Sequence, residues 1–249
     1  MEGEDPGDLQ KEEVMIKVEH IDVQGFEAAV RGMRNPMNSW EKSDSYHLRL
    51  TAESEPVLII GDADLKLMKQ LLQAGPEHRK YLRMIMVYMD ITAPLYWWKE
   101  YDTYKVSTVA NSCSTMHKIQ VKEFTRDDFS IEHLIGLDDE MWPSEVIGAE
   151  YIPDENYAYD SCPGWMFDNV ISMLNACRDK FNKTKDKKYW WQMIQLLPSS
   201  YNQKRTVMFN YETALTMIRQ RSGHKLDEWK EFVRILQEEL PYMRELIKA

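Results

Sequence analysis

The 249-residue sequence lacks the features that identify several common classes of protein. Its three cysteines, Cys113, Cys162 and Cys177, form no CxxC pair, which argues against a disulfide framework and for a reducing, cytoplasmic location. No stretch reaches the ~18 apolar residues of a membrane helix, and no basic-then-apolar start indicates a signal peptide. The formal net charge of -10 argues against nonspecific binding to nucleic acid or to an anionic membrane. A few local cations can still hold a small anionic ligand.

Short catalytic signatures are also absent. The patterns GxxxxGK[ST], GxGxxG, HExxH and GxSxG do not occur, and the six histidines show no spacing typical of a metal site. Cys113 and His117 are four residues apart, as two neighbours on a helix face would be. A buried thiol near a surface imidazole is expected there rather than a nucleophile and its base.

Hydrophobic patterning predicts a single α+β domain over 14–249, with a mixed sheet flanked by helices and a long C-terminal helical segment. Strands are expected at 14–23 and 84–92. Helices are expected at 63–75, ended by Gly75, and at 166–186. Residues 1–13 are acidic and are predicted to be a disordered tail, and 124–165 is predicted to be an irregular insertion.

Three kinds of segment are candidates for binding a ligand. The run "TYKVSTVANSCSTMH" at 103–117 is rich in hydroxyls and is expected to form a loop. The clusters "YWW" at 96–98 and 189–191 could stack on a flat ring, but aromatic residues at helical spacing are more often core. The cations of "QKR" at 203–205 and "RQR" at 219–221 suit an anion, because a guanidinium donates two parallel hydrogen bonds to phosphate.

The order and spacing of these segments resemble the flavin-dependent thymidylate synthases, the ThyX family. "ITAPLYWWKEYD" resembles the family's strand end and following helix, and loop 103–117 falls where the family has RHRxxSxNExSxRY. Asn111 and Ser114 keep the Asn and Ser of that motif. In "LLPSSYNQKRTVMFN", Asn210 lies twelve residues after Pro198, and Arg221 lies eleven residues after Asn210. "HKLDEWKEF" is similar to the family's AQWEI helix start, with Trp229 as its Trp.

The resemblance implies two sets of site residues. The substrate-binding set is Asn111, Ser112, Ser114, Lys204, Arg205 and Arg221; the cofactor-binding set is Tyr104, Lys105, Asn210 and His224. No catalytic residue is assigned, because in this family the cofactor makes and breaks the bonds. The sequence also departs from the pattern: Thr103, Tyr104 and Lys105 replace the Arg-His-Arg, Ser112 replaces the Glu, and Met116 and His117 replace the closing Arg and Tyr.

If the family chemistry is retained, the resemblance implies methylation of dUMP at C5. Methylenetetrahydrofolate would supply the carbon, and FAD reduced by NADPH would supply the hydride. It also implies a homotetramer with a pyrimidine nucleotide as ligand. Two alternatives remain open: a related enzyme acting on another pyrimidine nucleotide, and a non-catalytic nucleotide-binding or interaction protein on the same fold.

Overall fold

The computed structural model describes residues 16–49, 51, 53–135 and 163–249. The acidic tail predicted at 1–13, Cys162 and most of the predicted insertion lie outside the described residues. The described chain forms two compact units. The first, here called the sheet unit, holds Val18–Cys113 and Gln203–Ala249; the second, the helical unit, holds Ile16, Lys17 and the described part of Ser114–Asn202. The single domain expected over 14–249 stays a prediction.

The structure is a mixture of helices and strands, which confirms the predicted α+β class. Four short 3₁₀ helices occur in the described residues, at Asn35–Met37, Trp40–Lys42, Lys80–Met84 and Arg126–Asp128. The described strands and α-helices, in chain order, are β1 (Lys17–Gln24), α1 (Phe26–Arg34), β2 (Tyr46–Leu48), β3 (Val57–Ile59), α2 (Asp62–Gln73), β4 (Met86–Pro94), α3 (Leu95–Tyr101), β5 (Val109–Ser112), α4 (Thr115–Lys118), α5 (Pro163–Thr184), α6 (Lys187–Leu196), β6 (Asn202–Asn210), α7 (Tyr211–Arg221), α8 (Asp227–Glu239) and α9 (Met243–Ile247).

Four strands form the main sheet in the order β1-β4-β6-β5, and β2 pairs with β3 in a separate antiparallel ribbon. Strand β5 pairs antiparallel with β6, which places Asn111 opposite Thr206 and Ser112 opposite Arg205. The prediction of a loop over 103–117 was therefore wrong for Val109–Ser112, which form a strand. All four residues of β5 are exposed, so this edge strand has no apolar alternation by which sequence patterning could detect it.

The core of the sheet unit follows from alternation along β4 and β6. Every second residue from Val87 to Ala93 is buried, and so are Val207 and Phe209 on β6. Large aromatic side chains from α3 and α8 are fully buried with them: Trp97, Trp98, Tyr101, Trp229 and Phe232. Each buried side chain of this size stabilises the fold by roughly 1.5–3 kcal/mol. The first "YWW" cluster is therefore core at Trp97 and Trp98.

Two glycines lie at turns whose backbone conformation favours glycine. Gly25 has φ +96°, and a Cβ there would lie 2.1 Å from the backbone oxygen of Met84. Gly75 has φ +118° just after α2, which confirms the predicted helix stop. Both conformations lie in the left-handed region that favours glycine.

A buried ion pair joins α1 to α2. Arg34 donates from Nε to Asp64 at 2.6 Å, and both side chains are almost completely buried. The hydroxyls of Ser43 and Ser45 also donate to this carboxylate, at 2.7 and 2.6 Å. Burial alone raises the pKa of Asp64, but the hydrogen bonds from Ser45, Ser43 and Arg34 together outweigh it and hold that pKa below its ordinary value.

The helical unit has a separate small core made by residues from several segments: Ile119, Phe124, Phe129, Leu174, Cys177 and Met193. The predicted helix 166–186 ends at Thr184, because Lys185 takes φ +56° and Asp186 then caps α6 by accepting from the backbone N of Lys188. Cys113, expected to be buried, is exposed. Every helix in the described residues is too short or too polar to cross a bilayer.

Candidate functional site

Helix α3 positions the candidate site because it has a buried face and a charged end. Trp98 and Tyr101 are buried, and Trp98 donates from Nε1 to the backbone oxygen of Gln203 on β6 at 2.9 Å. This hydrogen bond fixes the helix to the sheet. The carboxylates of Glu100 and Asp102, at the end of the helix, each contact an arginine from a distant part of the sequence.

Arg221, the last residue of α7, is held on several sides. Its Nε donates to the hydroxyl of Tyr104 and its Nη1 donates to Glu100 Oε2, both at 2.9 Å. The guanidinium carbon lies 4.9 Å from the ring centre of Trp229 and 5.5 Å from that of Tyr104. Only 15% of the side chain is exposed. The arginine is therefore fixed in place rather than extended into solvent.

The charge of Arg221 is retained despite this burial. Burial by itself lowers the pKa of the guanidinium, but the hydrogen bonds and charges of Tyr104 and Glu100 together outweigh it and raise that pKa. Arg221 is thus a permanent cation whose present counter-ion is the carboxylate of Glu100.

Two other predicted residues lie in the same cluster. The Tyr104 hydroxyl accepts from Arg221 and donates to Gln220 Oε1 at 3.0 Å. The imidazole of His224 lies 6.2 Å from the ring of Trp229, and its Nδ1 accepts from the backbone N of Leu226 at 3.2 Å. The structure therefore brings Arg221, Tyr104 and His224 together around Trp229. We call these four residues the Arg221 cluster.

Arg205 forms a second, similar arrangement against α3. Its guanidinium carbon lies 4.2 Å from the ring centre of Trp98. Its Nη1 donates to Asp102 Oδ1 and its Nε donates to Gln203 Oε1, both at 2.9 Å. Like Arg221, this arginine stacks on a tryptophan and already has a carboxylate partner.

Lys204 makes its contacts with the sheet instead of with α3. Its ammonium lies 3.1 Å from Asp90 on β4 and 3.3 Å from Glu19 on β1. Successive residues of a strand point to opposite faces, which is why Lys204 and Arg205 have separate surroundings. Of these two predicted cations, only Arg205 contacts residues at the end of α3, as Arg221 does.

The remaining predicted residues have simpler surroundings. Asn111 and Ser112 are exposed on β5, and Lys105 is exposed in the turn before it. Asn210 is buried and caps α7, because its Oδ1 accepts from the backbone N and the hydroxyl of Thr213. Ser114 belongs to the helical unit and caps α4 by accepting from the backbone N of His117 at 3.0 Å. Cofactor binding by Asn210 and substrate binding by Ser114 stay predictions.

Glu100 and Asp102 are the residues that sequence reasoning missed. Both lie in "YWWKEYD", whose aromatic rings and place in the family resemblance gave no role to its two acids. The sequence did contain a signal for them. Both acids lie at the end of a predicted helix whose aromatic residues were expected to be core, so their side chains could be expected at the edge of that core. A third carboxylate, Glu228, accepts a short hydrogen bond from the hydroxyl of Tyr96 at the start of the same helix.

Two clefts lie elsewhere in the sheet unit, beside the β2–β3 ribbon. One, of about 320 Å³, is lined by residues including Arg31, Arg34, Trp40 and His47. The other, of about 480 Å³, is lined by residues including Phe26, Leu58 and Tyr242. No predicted site residue lines either cleft. In the described part of the chain, no group of three or more His, Cys, Asp and Glu side chains is arranged to hold a metal ion.

Comparison with known proteins gives a fold but no sequence relative. No family model matches the sequence, and no curated protein is similar to it. A crystal structure of the flavin-dependent thymidylate synthase ThyX from Helicobacter pylori, complexed with FAD and dUMP, is similar with a TM-score of 0.60 and 14% identity. The match covers 93% of this chain and 98% of that one.

A second structure of Thymidylate Synthase X from Helicobacter pylori, also with FAD and dUMP, matches with a TM-score of 0.60 and 15% identity. That match covers 94% of this chain and 100% of the other. The chain therefore has the fold of these proteins over almost its whole length. At this identity the comparison confirms the family resemblance at the level of the fold.

Proposed function

We propose that the chain binds a pyrimidine nucleotide through the Arg221 cluster. The supporting observation is a guanidinium that is mostly buried, stacked on Trp229 and oriented by Tyr104 and Glu100. An arginine fixed in this way is suited to an anionic group, because its planar fork needs little reordering to form two hydrogen bonds. The similar solved structures contain dUMP and FAD, which supports a nucleotide as the ligand.

The leading form of this proposal is thymidylate synthase chemistry. The chain's own residues would bind and orient dUMP for methylation at C5, with methylenetetrahydrofolate as carbon donor and NADPH as reductant. FAD, when bound, would supply the hydride. Arg221, Arg205 and His224 are residues of the sheet unit with donors suited to an anionic cofactor or substrate. An assembly of several chains, expected to be a tetramer, is part of the same proposal.

A non-catalytic nucleotide-binding protein is the second candidate, and one observation favours it. Each predicted cation with a defined contact is already paired: Arg221 with Glu100, Arg205 with Asp102, and Lys204 with Asp90 and Glu19. A ligand must compete with these carboxylates for its charge-assisted hydrogen bonds. This pairing also suits a related enzyme whose pyrimidine nucleotide carries less negative charge than dUMP.

Calorimetric titration with dUMP tests the proposal. In Arg221→Ala we expect the dissociation constant to rise about tenfold or more, since a lost hydrogen bond between charged groups costs about 1.5 kcal/mol at least. Arg219→Ala is the matched control, because Arg219 is exposed two residues earlier on the same helix. It should change the constant less than about twofold. An unchanged constant in Arg221→Ala would remove this arginine from the site.

Assay of dTMP formation separates the two candidates. Wild-type chain supplied with dUMP, methylenetetrahydrofolate, FAD and NADPH should form dTMP if the chemistry is retained. Binding of dUMP without product, at FAD concentrations that saturate any flavin site, would favour the non-catalytic protein.

A further inference from the structure

One short segment of the helical unit, around the turn between α5 and α6, carries a local excess of positive charge although the chain as a whole is net negative. The segment 178–191 holds six cations and two carboxylates, in a chain whose net charge is -10. Asp179 pairs with Arg178 at 2.7 Å, and Asp186 pairs with Lys188 at 3.1 Å. Both carboxylates are thus used within the segment, and four of its lysines have no carboxylate there to neutralise them: Lys180, Lys183, Lys185 and Lys187.

These lysines are presented at the turn between α5 and α6. Every residue from 182 to 188 is exposed. The left-handed conformation of Lys185 ends α5 and turns the chain, so α6 starts two residues later. Three lysines and the start of α6 therefore share one end of the pair of helices.

Aromatic rings lie directly beside this charge. The ammonium of Lys187 is 5.8 Å from the ring centre of Trp190 and 5.5 Å from that of Trp191. The ammonium of Lys188 is 4.9 Å from the ring centre of Tyr189. The indole of Trp190 is fixed by a hydrogen bond to the backbone oxygen of Met116, whereas Trp191 is 43% exposed.

Helix α6 has an exposed stripe of side chains that includes two amides. Lys188, Trp191, Gln192 and Gln195 are exposed and recur at the spacing of one helix face. We call these four residues, with Lys183, Lys185 and Lys187, the lysine–tryptophan surface. From Lys187 to Gln195 the helix extends about 12 Å.

We infer that the lysine–tryptophan surface binds single-stranded nucleic acid. Such strands are held by cations that follow the phosphates and by aromatic rings on which bases stack. Both are present here within one turn and one helix face, together with amides that can hydrogen-bond to base edges. An anionic membrane fits less well, because a membrane-surface helix needs a broad apolar face, and the exposed apolar residues of this stripe are Trp191 and, at its far end, Leu196 among polar residues. The inference is independent of the Arg221 cluster.

Fluorescence anisotropy with a labelled strand of about twenty thymidines tests the inference on the full chain. Wild type should bind saturably at about 50 mM salt and much more weakly at about 200 mM. The double variant K183E/K187E, which reverses two lysines without a carboxylate partner in the segment, should bind at least about tenfold more weakly. In a plot of log affinity against log salt concentration, the slope for this variant should be smaller in magnitude by about 1.4. Each lost phosphate contact accounts for ~0.7 of that change. Trp191→Ala should weaken binding about fivefold or more with little change in that slope.

The matched control is K66E/K69E, which makes the same change of charge on α2 in the sheet unit. It should change the affinity less than about twofold. Circular dichroism spectra that match wild type show that the variants are folded.

Three results would overturn the inference. The first is no binding of the strand by wild type at low salt, and the second is an equal loss of binding in K66E/K69E. The third is that the chain sediments with phosphatidylserine vesicles but does not bind the strand, and that K183E/K187E loses this sedimentation; that result would assign the surface to a membrane.

Discussion

The Nη1 of Arg221 donates to the carboxylate of Glu100 at 2.9 Å, across 121 positions of sequence. This contact joins the end of α7 to the end of α3. Arg205 and Asp102 make a similar contact at the same end of α3. Under the proposed function, an anionic ligand of Arg221 would therefore have to compete with the chain's own acidic residues.

Removing the charge of Glu100 should tighten nucleotide binding. Glu100 is 43% exposed, and ion pairs with an exposed partner are worth about 0.2–1 kcal/mol. In Glu100→Gln we therefore expect the dissociation constant for dUMP to fall by up to about fivefold. Calorimetry measures this, with Glu239→Gln on the exposed end of α8 as control. Weaker binding in Glu100→Gln would show that the carboxylate orients Arg221 for the ligand instead of competing with it.

Breaking the buried ion pair between Arg34 and Asp64 should destabilise the fold. Asp64→Asn leaves a buried guanidinium without its counter-ion, which costs about 3 kcal/mol or more. Urea unfolding measures the change in the free energy of unfolding. Asp62→Asn, which removes an exposed acid from the first turn of the same helix, should cost less than about 1 kcal/mol. Similar losses in both variants would contradict a special contribution from the buried pair.

The same pair predicts a dependence of stability on acid. Because the pKa of Asp64 in the folded chain lies below its ordinary value of 3.8, its ionised form adds stability that is complete above that value. This contribution is lost as the pH falls further, towards the pKa of the folded state. The difference in free energy of unfolding between wild type and Asp64→Asn should thus be constant near neutral pH and shrink below about pH 4. A difference that grows with acid would mean that the carboxylate is not held ionised.

Flavin should bind weakly, so that the purified chain is largely colourless and takes up FAD when it is added in excess. The physical reason is that Arg221 and Arg205 are paired with carboxylates, and stacking on a ring contributes only about 0.5–1.5 kcal/mol. The visible absorbance of flavin after gel filtration measures the occupancy. Stoichiometric FAD in protein taken directly from cells would show that other residues hold the cofactor.

The chain should form a tetramer in solution, as its family resemblance implies. Light scattering coupled to gel filtration measures the mass directly. A mass near 29.5 kDa, that of one chain, would contradict both the assembly and any site shared between chains.

Local patterns were sufficient to predict much of the fold but little of the site. Gly75 follows the end of α2 as expected, because glycine readily accepts the positive φ that stops a helix. Strand β5 was missed because its pairing with β6 is made by backbone groups, whatever its exposed side chains are. The contact of Glu100 with Arg221 depends on how α3 and α7 pack, and no periodicity within either helix contains that information.

The chain leaves the sheet unit after Cys113 and re-enters it at Gln203, and these two positions are neighbours. The backbone N of Cys113 donates to Lys204 O at 2.9 Å, and Gln203 Nε2 donates to the backbone oxygen of Cys113 at 2.7 Å. In topological terms, the about 90 residues of Ser114–Asn202 are the loop of a hairpin. The entropic cost of closing a loop grows only logarithmically with its length. Replacing these residues by a ten-residue loop would therefore change the free energy of loop closure by only about 2 kcal/mol. The sheet therefore places a weak constraint on what is inserted there. Substitutions between Cys113 and Gln203 that leave this junction intact should therefore change the entropy of closing the hairpin little.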